Sequence, residues 1–115
     1  MTDDCFQRTA LLVGEEGLRC LAEAHVAIAG LGGVGGYAAE AIGRAGVGRI
    51  TLADFDVVEA TNLNRQLLAL ESTIGRPKVD VAAERLRAVN SDADVRVMCA
   101  FVGPDNLDAF LGDAG

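Results

Sequence analysis

The run Gly30-Leu31-Gly32-Gly33-Val34-Gly35 sets Gly30, Gly32 and Gly35 in the spacing G-x-G-x-x-G, with Gly33 as a fourth glycine inside it. Glycines placed this way between a strand and a helix suit the holding of a phosphate, the alternative being a glycine-rich turn without a ligand. The first permits a tight turn, the second lets the main chain approach the anion, and the third lets the helix pack closely on the strand. Helix N–H groups and the helix dipole then favour the negative charge. Asp54 follows 19 residues after Gly35, near the spacing of about 20 at which an acid accepts hydrogen bonds from a ribose hydroxyl. An aspartate leaving a strand can also cap the segment behind it, and Asp56 suits a turn as well as a ligand role.

A dinucleotide site needs little more than this loop and acid, yet the chain continues with Asn62, Asn64, Arg65 and Gln66, and later Lys78. Arg65 and Lys78 converging on one crevice would neutralise a triphosphate and support departure of pyrophosphate. Asn62 would fix polar atoms of the nucleotide through neutral hydrogen bonds. Taken singly, each basic residue is most often a solvated surface charge; only the set carries the reading. His25, the single histidine, opens a strand and has no carboxylate or cysteine partner visible in the sequence, so a structural role is expected. Cys5, Cys20 and Cys99 are odd in number and form no C-x-x-C pair, against a disulfide framework or zinc ribbon and in favour of a reducing cytoplasm. Cys99 is expected to be a small buried hydrophobe, and no metal-ligand set is read from the chain.

The elements that must position these groups follow from periodicity. Leu11, Leu12, Leu18, Leu21 and Ala22 recur at helical spacing, predicting a leading helix or helix pair broken near Gly14, a lid or dimer element. His25–Gly30 is a short continuous apolar run, predicting a first strand buried on both faces. Ala38, Ala41, Ile42 and Ala45 mark the inner face of a helix from Gly35, stopped by Gly46 and Gly48, and Arg49–Ala53 is the second strand. The mixed stretch 54–76 is long for a connection, so it should carry function or contain short helices. Pro77 suits the first position of a helix with Val79, Ala82, Ala83, Leu86 and Val89 inward, ending near Asn90. Alternation of Val95, Val97, Cys99 and Phe101 with Arg96, Met98 and Ala100 predicts a third strand, and Pro104 opens a last helix with Leu107, Phe110 and Leu111 inward.

The chain has 115 residues, half of them hydrophobic and only 4% aromatic, which suits small βα units packed through aliphatic side chains. The expected fold is therefore α/β and Rossmann-like, a mainly parallel sheet with flanking helices, truncated at its C-terminus. Residues 1–24 form an N-terminal helical segment and 25–115 the nucleotide-binding domain. The formal net charge of −7 offers no overall positive field for nucleic acid or an anionic membrane surface. No segment suggests a secretory signal or a membrane span.

The ordered set of the glycine loop at 30–35, Asp54-Phe55-Asp56, Thr61-Asn62-Leu63-Asn64-Arg65-Gln66 and Gly75-Arg76-Pro77-Lys78-Val79 resembles the E1-like activating enzymes of the ThiF, MoeB and HesA group over nearly the whole chain. That resemblance implies an ATP-dependent enzyme that adenylates a carboxylate, with Mg2+ accompanying the ATP. It implies that Asp54 binds ribose, that Asn62 and Arg65 bind the nucleotide and its phosphates, that Lys78 binds the phosphates, and that Arg8 of a homodimer reaches into the partner subunit's site. It also implies a magnesium-binding aspartate on a strand beyond Leu111, past the end of this chain. Phe6-Gln7-Arg8-Thr9 with Leu12, Gly14, Glu15 and Gly17, the Asn-x-Asn-Arg-Gln form, and Phe101-Val102-Gly103-Pro104-Asp105-Asn106 look most like the branch that dehydrates threonylcarbamoyladenosine in tRNA. The acidic balance is a point against a tRNA partner, and the alternative acceptor is the C-terminal glycine of a ubiquitin-like sulfur carrier. An NAD-dependent oxidoreductase would use the same loop and acid but gives Arg65 and Lys78 no role, and a non-catalytic nucleotide-binding module would bind without turnover.

Overall fold

Ile50 and Leu52 are wholly buried because their strand has a neighbour on each side. The computed structural model describes residues 3–115. In chain order it contains α1 (Gln7–Glu23), β1 (His25–Ala29), α2 (Gly35–Ala45), β2 (Arg49–Ala53), α3 (Lys78–Val89), β3 (Asp94–Met98) and α4 (Leu107–Leu111). Short 3-10 turns lie at Asp3–Phe6, Ala60–Asn62 and Glu71–Thr73. The strands form one parallel sheet in the order β1-β2-β3, with His25 opposite Arg49 and Arg49 opposite Asp94. This is the Rossmann-like α/β arrangement expected from the strand–helix alternation.

The strand β1 departs from expectation. Its run is continuous and apolar, yet Val26, Ala27 and Ile28 are only half-buried and Ala29 is exposed. It is an outer strand: β2 covers one edge, and the other receives the Gly115 N–H on the His25 carbonyl at 3.3 Å.

Helix α1 is two helical pieces joined at Gly14, whose φ of 73° and ψ of 176° are non-helical, as the sequence pattern predicts. Its first half holds Leu11 and Leu12 in solvent, while Leu21 packs on the edge of the core. In α2 the buried positions are Gly36, Ala39 and Gly43, whereas Ala41 is exposed and Ala38, Ile42 and Ala45 are half-buried. Counting apolar side chains hides this face because two of its members have none. A Cβ on Gly43 would stand 2.5 Å from Leu86 Cδ2 of α3, so the missing side chain allows the two helices to meet. Glu40 of α2 links the same pair, accepting from Arg85 at 3.1 Å and from Arg44 at 2.9 Å. Burial pushes its carboxyl up, but the hydrogen bonds from Arg85 and Arg44 outweigh that and leave it below the usual range.

Pro77 stands one residue ahead of α3 rather than inside it, with extended ψ of 134°. The inner face of α3 is Val79, Val81, Ala82, Ala83 and Leu86, with Val89 only half-buried. The connection 54–76 contains two of the 3-10 turns and contributes Val58, Leu68 and Ala69 to the core. Strand β3 ends at Met98, earlier than the alternation suggests, because the chain turns there, with the Ala100 N–H on the Met98 carbonyl at 2.9 Å. Cys99 therefore lies past the strand and is exposed, contrary to the expected buried hydrophobe. Pro104 does not open α4, which starts after Asn106; Phe110 is buried, but Leu107 and Leu111 are not, since a helix of five residues buries little more than one side chain.

His25 does have a carboxylate partner. Its Nδ1 lies 2.5 Å from Asp113 Oδ1 and its Nε2 lies 2.7 Å from Thr51 Oγ1, and Arg49 donates to the other Asp113 oxygen at 2.7 Å. The cluster fastens the end of the chain to the N-terminal end of the sheet, a structural role. Among the described residues no helix is long and apolar enough to cross a membrane.

Candidate functional site

At the opposite end of the sheet, β1 runs out into the glycine loop. Gly30 adopts φ of +91°, and its N–H bonds to the Ala53 carbonyl at 2.8 Å, holding the turn against the end of β2. A Cβ on Gly35 would stand 1.8 Å from the Gly30 carbonyl oxygen, so only glycine lets α2 begin this close to the strand. Gly33 has open space around it. Among the described residues, the backbone N–H groups of Gly32, Gly33 and Val34 have no protein acceptor. Three free donors at the start of a helix make an anion cradle.

Asp54 does two jobs with one carboxylate. One oxygen accepts the Leu31 N–H at 2.7 Å and the other accepts the Asp56 N–H at 2.7 Å. The acid thus caps its own strand exit and steadies the glycine loop. The segment behind it folds back onto α3: the Lys78 N–H reaches the Asp56 carbonyl at 3.0 Å, and Val57 bridges to Pro77. Lys78 is consequently brought to the strand end that carries Asp54. Its side chain is 5% exposed, and among the described residues its ammonium has no hydrogen-bond or ion-pair partner.

Asn62 is buried and uses its Oδ1 on the Glu59 N–H at 2.9 Å, while its carbonyl accepts from the Arg65 N–H at 3.2 Å and the Gln66 N–H at 2.9 Å. It shapes the turn that presents the two residues after it. Arg65 is exposed, its guanidinium resting on the Thr61 carbonyl and Asn64 Oδ1 at 3.2 and 3.0 Å. Both contacts are neutral, so its charge is free for an anion. Arg8 is not brought to this loop. Phe6, two residues away, lies against Gly46 at the far end of α2, a helix about 16 Å long at 1.5 Å per residue.

Two contacts join residues that the sequence does not pair. Phe55 and Phe101 meet edge to face, ring centroids 5.8 Å apart, beside a cavity of about 210 Å³ lined also by Ala29, Gly30, Ala53 and Asp54. Phe55 stands in the quoted Asp54-Phe55-Asp56 run, but nothing in the sequence pairs it with Phe101. Gln66, one residue past Arg65, approaches Gly32. Among the described residues no group of three or more His, Cys, Asp or Glu gathers to hold a metal ion, so a protein-held magnesium site does not fit the residues present.

The family model of the ThiF family matches residues 6–114. The chain belongs to the ThiF family. It is 47% identical over 106 residues to the tRNA threonylcarbamoyladenosine dehydratase of Escherichia coli, covering 92% of this chain and 40% of that protein. The Bacillus subtilis protein of the same name is also 47% identical over 106 residues, with 92% of this chain and 42% of that protein covered. A crystal structure of the E. coli dehydratase in complex with ATP superposes with a TM-score of 0.93 at 45% identity, covering 97% of this chain and 46% of that one. This ThiF-family chain thus spans about two fifths of the length of the curated relatives it matches.

Proposed function

We propose that the chain binds ATP in an enzyme that adenylates a carboxylate, the acceptor being N6-threonylcarbamoyladenosine of tRNA, which is thereby cyclised with loss of water. The observation that carries the reading is the cradle of free N–H groups at Gly32, Gly33 and Val34, braced by Asp54 and flanked by the unpartnered Lys78 and the free charge of Arg65. A dinucleotide site would have no use for two further cations. The name and bound ATP of the E. coli relative support the substrate and the nucleotide.

In this reading the triphosphate lies over residues 30–35, Asp54 meets the ribose, Asn62 the nucleotide's polar atoms, and the apolar cavity beside Phe55 and Phe101 takes the base. A carboxylate oxygen attacks the α-phosphorus, the bond to the β-phosphate oxygen breaks, and pyrophosphate leaves with its charge stabilised by Lys78 and Arg65. A nucleophile within the same nucleoside then attacks the acyl carbon and displaces AMP, so one water is lost overall. Catalysis is positioning and charge stabilisation. Residues 25–115 serve as the nucleotide-binding domain, and the segment 1–24, helical from Asp3 to Glu23 apart from the break at Gly14, as the element through which a second copy docks. The solvent-facing Leu11 and Leu12 and the distance of Arg8 from its own loop favour such a homodimer, in which Arg8 completes the partner subunit's site. The protein works in the cytoplasm, with ATP taken up as its Mg2+ complex.

Calorimetric titration with Mg-ATP and, separately, NAD, repeated with Arg65→Ala, tests the reading. ATP binding that weakens with the substitution supports it; NAD binding indifferent to the substitution would replace it with an oxidoreductase. Turnover of tRNA bearing the modified nucleoside, against a sulfur carrier ending in glycine, decides the acceptor.

A further inference from the structure

Among the described ion pairs, Glu40 is the carboxylate that two arginines share. Its Oε1 accepts from Arg44 Nη2 at 2.9 Å and from Arg85 Nη2 at 3.1 Å, and its Oε2 accepts from Arg85 Nε at 3.1 Å. Arg19, Arg49, Arg76 and Arg96 each meet a carboxylate that no second arginine shares. Joining α2 to α3 needs Arg85 alone. Arg44 stands one turn along the same helix as Glu40, where such a pair adds little, and it sets a second guanidinium beside the first. Two cations and one anion leave a positive excess on a chain whose net charge is −7. The three side chains border a cavity of about 530 Å³ walled also by Phe6, Ala88 and Val89. Nη1 of each arginine has no acceptor among the described residues.

Guanidinium groups with unused donors beside open space suit an oxyanion, above all a phosphate, whose oxygens accept from planar donors at a fixed spacing. The cavity is not part of the nucleotide site. Arg44 stands nine residues along α2 from Gly35, about 14 Å at 1.5 Å per residue. A polyanion can lay one phosphate here and still present another part of itself at the glycine loop. We propose that this cavity holds a backbone phosphodiester of the tRNA acceptor, with Nη1 of Arg44 and of Arg85 as its donors and Glu40 aiming the two guanidiniums. The inference rests on the tRNA acceptor proposed above. It also answers the acidic balance of the chain, since the polyanion is received at a local positive excess.

The test is titration of the parent, Arg44→Gln and Glu40→Gln with tRNA bearing the modified nucleoside, with melting temperature and Kd for Mg-ATP measured for each. Both substitutions disturb the same ion pairs, so both act on stability in the same direction. On tRNA they should act in opposite directions. Arg44→Gln should weaken binding about two- to fivefold, the scale of an exposed ion pair, and make the slope of log Kd against log salt shallower by roughly 0.7–0.9. Glu40→Gln keeps an acceptor but removes the negative charge, and should tighten binding. The Kd for Mg-ATP should stay that of the parent in both. Weaker tRNA binding in both variants, following a lower melting temperature, would assign the cluster to the scaffold and overturn the proposal, as would tRNA binding unchanged in both. A parent that binds no tRNA removes the acceptor reading and this inference together, whereas a parent that binds tRNA no more tightly than Arg44→Gln removes this inference alone.

Discussion

The Leu31 N–H donates to Asp54 Oδ2 at 2.7 Å, so the acid ending β2 is fastened to the second residue of the glycine loop. With the Asp56 N–H on the other oxygen, also at 2.7 Å, both carboxylate oxygens are needed as acceptors. Asp54→Asn turns an NH2 group toward one of those donors. The expected cost is about 1–3 kcal/mol for a buried donor left unpaired, read by chemical denaturation, with weaker Mg-ATP binding in the same protein. Unchanged stability would mean that the carboxylate does not brace the loop.

Gly35→Ala places a Cβ 1.8 Å from the Gly30 carbonyl oxygen, and the oxygen and carbon it meets are both backbone atoms. The loop must open or α2 must retreat, at an overpacking cost of about 1–3 kcal/mol or more. A thermal melt should show a lower midpoint, and titration should show ATP affinity lost with it. Gly33→Ala, where nothing stands within 4 Å, is the control and should leave the melt close to that of the parent.

Lys78→Met removes the charge of a residue that is 5% exposed and whose ammonium has no partner among the described residues. Methionine keeps the buried apolar stem of the side chain, so the ligand-free variant should melt close to the parent. Affinity for Mg-ATP should fall about ten- to a hundredfold, the range for a charge-assisted hydrogen bond. A lower melting point with intact binding would make Lys78 a packing residue.

The hydrogen bonds from Arg49, first, and His25 hold the Asp113 carboxyl down at about 2, against an ordinary value of 3.8. A depressed folded-state value means that its contribution to stability is present above about pH 4 and disappears as the pH falls toward 2. Asp113→Asn should therefore lower the melting temperature at pH 7. The gap between parent and variant should close between pH 4 and 2, measured by melts across that range. A gap independent of pH would show that the carboxylate contributes through shape and not charge.

Much of the site was legible before folding because its parts are local. Gly30, Gly32 and Gly35 act through backbone geometry within six residues, and Asp54 acts at the end of a strand whose bounds, Arg49–Ala53, periodicity alone located. Asn62 and Lys78 were legible as residues of interest, though not in what the fold makes of them: Asn62 spends its oxygen on the Glu59 N–H, and the body of Lys78 is buried. Arg8 could be singled out, yet only the course of α1 shows that it stands at the wrong end of α2 to serve its own loop.

By itself the sequence determined the order of strands and helices, the break at Gly14, the turn at Gly30 and the acid that follows β2, since each depends on a few adjacent residues and on side-chain periodicity. Tertiary structure decided that β1 is an outer strand, that Cys99 meets solvent, that His25 pairs with Asp113 88 positions away, and that Gln66 faces Gly32. These contacts join distant segments, and which distant groups meet is set by the path of the whole chain, which no local spacing encodes.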